Sequence, residues 1–240
     1  MKRAVAEQKE GVMGPLERIV KIFSSPREVF VYLKEKPDWL LPAIILAIVM
    51  VLSVALLFEP VLKQEQMKRF EESSQAGQMT PEQMEEARKR FEGGLGLIMS
   101  LVGAFVVNVV VFLLLVSGVL YGIFSLMGGD GKFKQVFSVV SYSSLVGVAA
   151  TIIRVALMLA RGSAEVYTSA ALAVPGLATE STLFRLLNSF DIFTIWHVWL
   201  VIIGLAIVCG FTTKKAATGV LSLWGLWIVV KVVAGMFIGS

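Results

Sequence analysis

The chain has one cysteine and one histidine in 240 residues. The lone Cys209 excludes an internal disulfide and a cysteine metal cluster, and it reads as a small buried hydrophobe. A single histidine, His197, excludes a paired-histidine metal site, and no Gly-x-Ser-x-Gly elbow accompanies it. Gly128-Gly129-Asp130-Gly131 lacks the Gly-x-x-x-x-Gly-Lys-Ser/Thr spacing of a phosphate loop and reads as a tight turn. These absences leave little room for an enzyme, and no motif asks for a metal or a cofactor. Charged residues make up only 17% of the chain. The longest polar segments, residues 1–38 and 59–92, are too short for a large soluble domain.

What fills the space is apolar. Hydrophobic residues make up 56% of the chain and mean hydropathy is +0.78. Five runs stand out: Trp39–Phe58, Leu97–Met127, Phe137–Ala160, Ile192–Phe211 and Ala216–Ile238. Roughly 20 apolar residues at ~1.5 Å rise cross the ~30 Å hydrocarbon core. The expected fold is all-α: a polytopic membrane helical bundle with five transmembrane helices and short amphipathic interfacial helices. Residues 1–14 read as a flexible tail, 15–38 as cytoplasmic juxtamembrane helices, and 39–240 as the five-span domain with an external helical loop over 59–92.

Basic residues set the expected sidedness. Residues 1–38 hold eight Lys or Arg. The turns before spans 3 and 5 carry Lys132 with Lys134, and Lys214 with Lys215. With five crossings these segments share one side, which the positive-inside rule places in the cytoplasm. The N-terminus is then inside and the C-terminus outside. The net charge of +4 fits membrane lipid rather than nucleic acid, because the cations flank apolar runs.

Two short helices are expected before span 1. Gly14-Pro15 opens one, with Leu16, Ile19, Val20 and Phe23 on a face and Arg18 off it. Ser25-Pro26-Arg27-Glu28 reads as a capping box opening a second, lined by Val29, Phe30 and Leu33. Phe23, Phe30, Trp39 and the four turn lysines are the expected interfacial residues, with the apolar helix faces in the membrane surface or packed on the bundle. Thr80-Pro81-Glu82-Gln83 is a second capping box, in the external loop, and Ser181–Asn188 reads as a short helix.

Few polar groups lie within the apolar runs. Asn108 sits near the middle of span 2. Arg154, Asp191, His197 and Lys231 overlap in depth on the external side. Charges at such depth pair, snorkel or line a wet cavity. Three arrangements are open: a polar cluster with Asp191 or Glu180 compensating Arg154 or Lys231, an electropositive pocket for an anionic headgroup or solute, or independent contacts. Gly103, Gly118, Gly122, Ser141, Ser144, Gly147 and Gly204 are the expected helix-packing positions, since small side chains allow close approach.

Several pieces resemble the Yip1 family in its bacterial form, over about residues 15–238. They are Pro26-Arg27-Glu28-Val29-Phe30 before Pro37-Asp38-Trp39, then Gly129-Asp130-Gly131-Lys132-Phe133-Lys134-Gln135 leading to Tyr142. Asp191-Ile192-Phe193-Thr194-Ile195-Trp196 with Trp199 and Gly204-Leu205 follows, and Thr212-Thr213-Lys214-Lys215-Ala216 closes the series. The resemblance implies an integral membrane fold with a cytoplasmic N-terminus, in the bacterial cytoplasmic (inner) membrane. Eukaryotic members are associated with small GTPases and vesicle trafficking, but their Asp-Leu-Tyr-Gly-Pro motif is absent here, so that role does not carry over. Leu145 stands where bacterial relatives often have a proline, which removes the ground for expecting a kink there. No catalytic residue carries over. The expected role is structural or protein-interacting in membrane organisation, as a homo-oligomer or with a membrane or cytoplasmic partner. The alternative is binding or transport of a small anionic solute or lipid through the outer polar group.

Overall fold

The computed structural model describes residues 13–71, 76–92, 94–103, 105–106, 111–174, 176–179 and 181–238. These are almost wholly helical and contain no strand; one antiparallel bridge pairs Ser169 with Asp191. The tail at 1–12 and Asn108 lie outside the described residues.

Two helices precede the first long apolar run: α1 (Pro15–Ser24) and α2 (Pro26–Glu35). Helix α3 (Leu40–Leu57) follows and does not stop at the expected boundary. It passes through a π-helical turn, Phe58–Leu62, into α4 (Lys63–Glu71). Pro60 lies inside that turn, and a proline that cannot donate a hydrogen bond disturbs the i to i−4 ladder. The Lys63 N–H accordingly bonds the Phe58 carbonyl, five residues back. The stretch Leu40–Lys68 is one apolar helix of 29 residues, roughly 44 Å at the usual rise. The first part of the expected external loop, as far as Glu71, is thus an extension of span 1.

Helix α5 (Pro81–Glu92) opens on the expected capping box: the Gln83 N–H donates to Thr80 Oγ1 at 3.3 Å, and the Thr80 N–H to Gln83 Oε1 at 2.9 Å. An Arg88–Glu71 ion pair ties α5 to α4. Helices α6 (Leu95–Gly103) and α7 (Phe112–Leu126) occupy the second apolar run.

The third run is broken. Helix α8 (Phe133–Ser143) and helix α9 (Val146–Arg161) are separated by a turn at Ser144-Leu145, although no proline is present. Bonds across the turn run three residues back: Leu145 N–H to Tyr142, Gly147 N–H to Ser144 and Val148 N–H to Leu145. Ser138, Ser141 and Ser144 each turn their hydroxyl onto the carbonyl four residues earlier, at 2.8 Å. Such back-bonding competes with the backbone ladder and bends helices.

Helix α10 (Thr182–Leu187) is capped by Ser181, whose Oγ accepts from the Phe184 N–H at 3.1 Å. Helix α11 (Ile192–Val208) and helix α12 (Thr213–Ile238) end the chain. By length and composition, three helices are long and apolar enough to cross a membrane: Leu40–Lys68, Phe133–Arg161 and Thr213–Met236. Phe112–Leu126 and Ile192–Val208 are shorter apolar helices.

The core forms around α8 and α11. Every residue of α8 from Val136 to Ser143 is buried, as are most of α11 from Val198 to Val208. Against them pack α2, α9 and α12. This corrects the interfacial reading of α2. Val29, Phe30 and Leu33 are fully buried inside the bundle, not in the membrane surface. The Ser25 capping box is also absent: Ser25 makes no side-chain cap bond, and Glu28 instead pairs with Lys21 at 2.8 Å. Helix α1 is different, since Leu16 and Val20 remain exposed.

Gly204 explains how α2 comes so close. A Cβ there would lie 2.4 Å from Val139 Cγ1 and 3.1 Å from Phe30 Cδ1. Of the expected packing positions, Ser141 and Ser144 are buried. Gly103, Gly118, Gly122 and Gly147 make no close contact among the described residues, where a Cβ on any of them would meet nothing within 4 Å. Gly204→Ala is expected to lower the stability of the detergent-solubilised protein by about 1–3 kcal/mol through overpacking. Gly118→Ala should be neutral or gain up to ~1 kcal/mol from helix propensity. Thermal unfolding of the two variants side by side checks the contrast.

Candidate functional site

Polar groups collect at three places. The first was not expected as a site. Arg18 of α1 is 7% exposed and makes four hydrogen bonds. Its Nε donates to Tyr142 Oη at 3.0 Å, and Nη1 to the Met13 carbonyl and Tyr32 Oη, both at 3.0 Å. Its Nη2 pairs with Asp38 Oδ2 at 2.9 Å. The Tyr142 hydroxyl donates to the same Asp38 oxygen at 3.2 Å. Burial works against the guanidinium charge, but the Tyr142 bond and the Asp38 carboxylate outweigh it, so the Arg18 pKa lies above its ordinary value. The node joins α1, α2, α8 and the start of span 1. Only the amphipathic spacing placed Arg18 in solvent; the tyrosines that receive it lie 14 and 124 residues away.

The second place is the expected outer group, part of which assembles. Asp191 caps α11: its Oδ1 accepts the Phe193 and Thr194 N–H groups at 2.9 and 3.3 Å. Its Oδ2 pairs with Arg154 Nη2 of α9 at 3.1 Å and also accepts the Thr168 hydroxyl. Arg154 Nε donates to Thr168 Oγ1 at 3.2 Å. Burial pushes the Asp191 carboxyl up. The Thr168 hydroxyl, the Arg154 charge and the two backbone N–H groups more than offset it, so the pKa is lowered. Glu180, the other candidate for compensating Arg154, lies outside the described residues.

His197 and Lys231 do not join this pair. His197 lies beside the Ser143 backbone, at the break between α8 and α9, where the Gly147 N–H bonds Ser144 and not Ser143. Lys231 has no hydrogen bond or ion pair among the described residues. Arg185 is a further feature that spacing did not reveal. It lies across α12 where Gly235 leaves room, since a Cβ there would sit 2.5 Å from Arg185 Nη1.

The third place is the end of the bundle bearing the turn lysines. The Asp130 N–H donates to the Cys209 carbonyl at 3.3 Å, and Lys215 Nζ to the Met127 carbonyl at 2.8 Å. Lys215 also lies 3.8 Å from the Phe211 ring centroid. Gln135 Nε2 donates to the Lys34 carbonyl. The segments carrying Lys34, Lys132, Lys134, Lys214 and Lys215 therefore share one end, and all five lysines are exposed. Of the other expected interfacial residues, Phe23 rests edge-on against Trp196 at 5.8 Å and Trp39 against Phe137 at 5.1 Å.

Among the described residues no group of three or more His, Cys, Asp or Glu is placed to hold a metal ion. Asp191→Ala removes the cap of α11 and orphans Arg154; a loss of at least ~1 kcal/mol is expected from the cap alone. Lys231→Leu should cost no stability. The lowered Asp191 pKa has a defined sign: its stabilisation is present above the unfolded carboxylate pKa and is lost as pH falls through the folded one. Thermal unfolding against pH should show that acid-side loss in the parent protein and less of it in Asp191→Asn.

No curated protein and no solved structure matches this chain. A family model for the Yip1 domain does, over residues 20–235, from within α1 almost to the end of α12. That match takes in the buried α2, the α8–α11 core and both lysine turns, and by it the chain belongs to the Yip1 family.

Proposed function

We propose that this multi-pass membrane protein acts as a structural or protein-interaction scaffold in membrane organisation, rather than as an enzyme. One observation carries the reading: the charged groups Arg18, Arg154 and Asp191 engage the chain itself. Arg18 bonds three residues' side chains and a carbonyl, and Arg154 and Asp191 bond each other and Thr168. A pocket for an anionic solute would need Arg154, His197 and Lys231 to converge with free donors, and Arg154 is instead engaged by Asp191 and Thr168. Membrane lipid and a second copy or another protein are the partners of this reading.

The proposed arrangement is five crossings of the bacterial cytoplasmic membrane, with the N-terminus inside and the C-terminus outside. The two shorter apolar helices, Phe112–Leu126 and Ile192–Val208, supply the second and fourth crossings. Support comes from the three lysine-bearing segments meeting at one end of the bundle, the parity that five crossings require.

Two measurements test the proposal. In a Cys209→Ser background, single cysteines at Lys36, Lys132 and Lys214 should be shielded from a membrane-impermeant thiol reagent added outside intact cells. Cysteines at Gln78 and Ser163 should react. Labelling of Lys214→Cys from outside overturns the crossing count. Crosslinking followed by purification in native lipid should recover a stable homo-oligomer or a defined protein partner; consistent recovery of a lone monomer overturns the scaffold reading.

A further inference from the structure

Lysines from two distant parts of the chain, Lys34 and the pair Lys132 and Lys134, meet at one glutamine. Lys34 closes α2, while Lys132 and Lys134 bracket the first residue of α8. Gln135 Oε1 accepts the Lys132 N–H at 2.7 Å, and its Nε2 donates to the Lys34 carbonyl. This glutamine pins the end of α2 to the start of α8 and holds the three lysines in register. All three side chains are exposed, and among the described residues none has a hydrogen bond or an ion pair. The neighbouring Lys215 is by contrast engaged with the Met127 carbonyl and the Phe211 ring. Asp130 and Glu35 are the acidic residues of these same segments, so the rim stays cationic.

Exposed apolar groups are interleaved with these cations. Phe133 lies between Lys132 and Lys134, is 39% exposed and meets Tyr121 edge-on at 5.7 Å. Leu126, at the end of α7, is 90% exposed. A free phosphate ion would use the cations alone. A phospholipid uses both, with its phosphate on the ammonium groups and its chains on the adjoining apolar surface. We infer that Lys34, Lys132 and Lys134 form a binding site for the phosphate of an anionic phospholipid, with Phe133 and Leu126 against its acyl chains. The proposed sidedness enters only in naming the leaflet, which is cytoplasmic.

The test uses the full chain in detergent, titrated with phosphatidylglycerol or phosphatidylcholine and read by native mass spectrometry. Phosphatidylglycerol should be retained preferentially. Lys34→Gln, Lys132→Gln and Lys134→Gln should weaken that retention by about fivefold each, whereas the matching Lys→Arg changes should keep it. A control triple on α4 and α5, Lys63→Gln/Lys68→Gln/Lys89→Gln, should leave it intact. Equal loss in the control triple, equal binding of the two lipids, or binding of inorganic phosphate as tight as that of phosphatidylglycerol overturns the inference. Should the glutamine variants fail to fold, the parent protein still decides: its preference for the anionic lipid must fall as salt rises, and an unchanged preference overturns the site. None of these readouts depends on the scaffold reading, which crosslinking tests separately.

Discussion

A backbone that lies in lipid must satisfy its own hydrogen bonds, because hydrocarbon supplies no donor or acceptor. This constraint makes the chain helical, and it also explains the places where the helices are irregular. At Pro60 the ladder cannot continue with its usual spacing, and a π-helical turn carries it on into α4. Between α8 and α9 the ladder tightens to three-residue bonds, which frees the Ser143 carbonyl. The only histidine in the chain lies beside that carbonyl, on α11.

The same logic governs Arg18. A buried guanidinium is tolerated when its charge is paired and its donors are filled, and losing one partner leaves an uncompensated charge. Asp38 supplies the charge, while Tyr32, Tyr142 and the Met13 carbonyl fill the remaining donors. Because these groups come from the N-terminal helices, the approach to span 1 and the middle of the third run, the node joins the amphipathic segment to the bundle. Gly204 allows the closest part of that contact, where Phe30 lies against α11. Helix α2 is consequently a core element of the domain.

Polar chemistry that is satisfied internally suits a framework whose surfaces do the work. The exposed lysine rim faces outward, whereas Arg18, Arg154 and Asp191 bond within the chain. Membership of the Yip1 family agrees with a multi-pass membrane protein and adds no catalytic assignment. Where the outer group does assemble, it caps a helix: Asp191 starts α11, and Arg154 with Thr168 holds that cap to α9.

The amino-acid sequence alone determined the helical membrane class, because runs of apolar residues long enough for a bilayer leave the backbone one solution. It also determined local signals whose partners are near in the chain, such as the Thr80–Gln83 box and the short helix from Ser181, and it offered Asp191 or Glu180 as the partner of Arg154 or Lys231. The tertiary structure decided everything that depends on which helix faces meet. Phe30 moved from the membrane surface to the core, and four of the expected packing glycines made no close contact among the described residues while Gly204 did. Arg18 found acceptors on other helices, and a kink formed beside Leu145 with no proline to announce it. Hydrophobic periodicity reports that a face is apolar, but lipid and a neighbouring helix are equally apolar, so periodicity cannot tell which of the two will cover it.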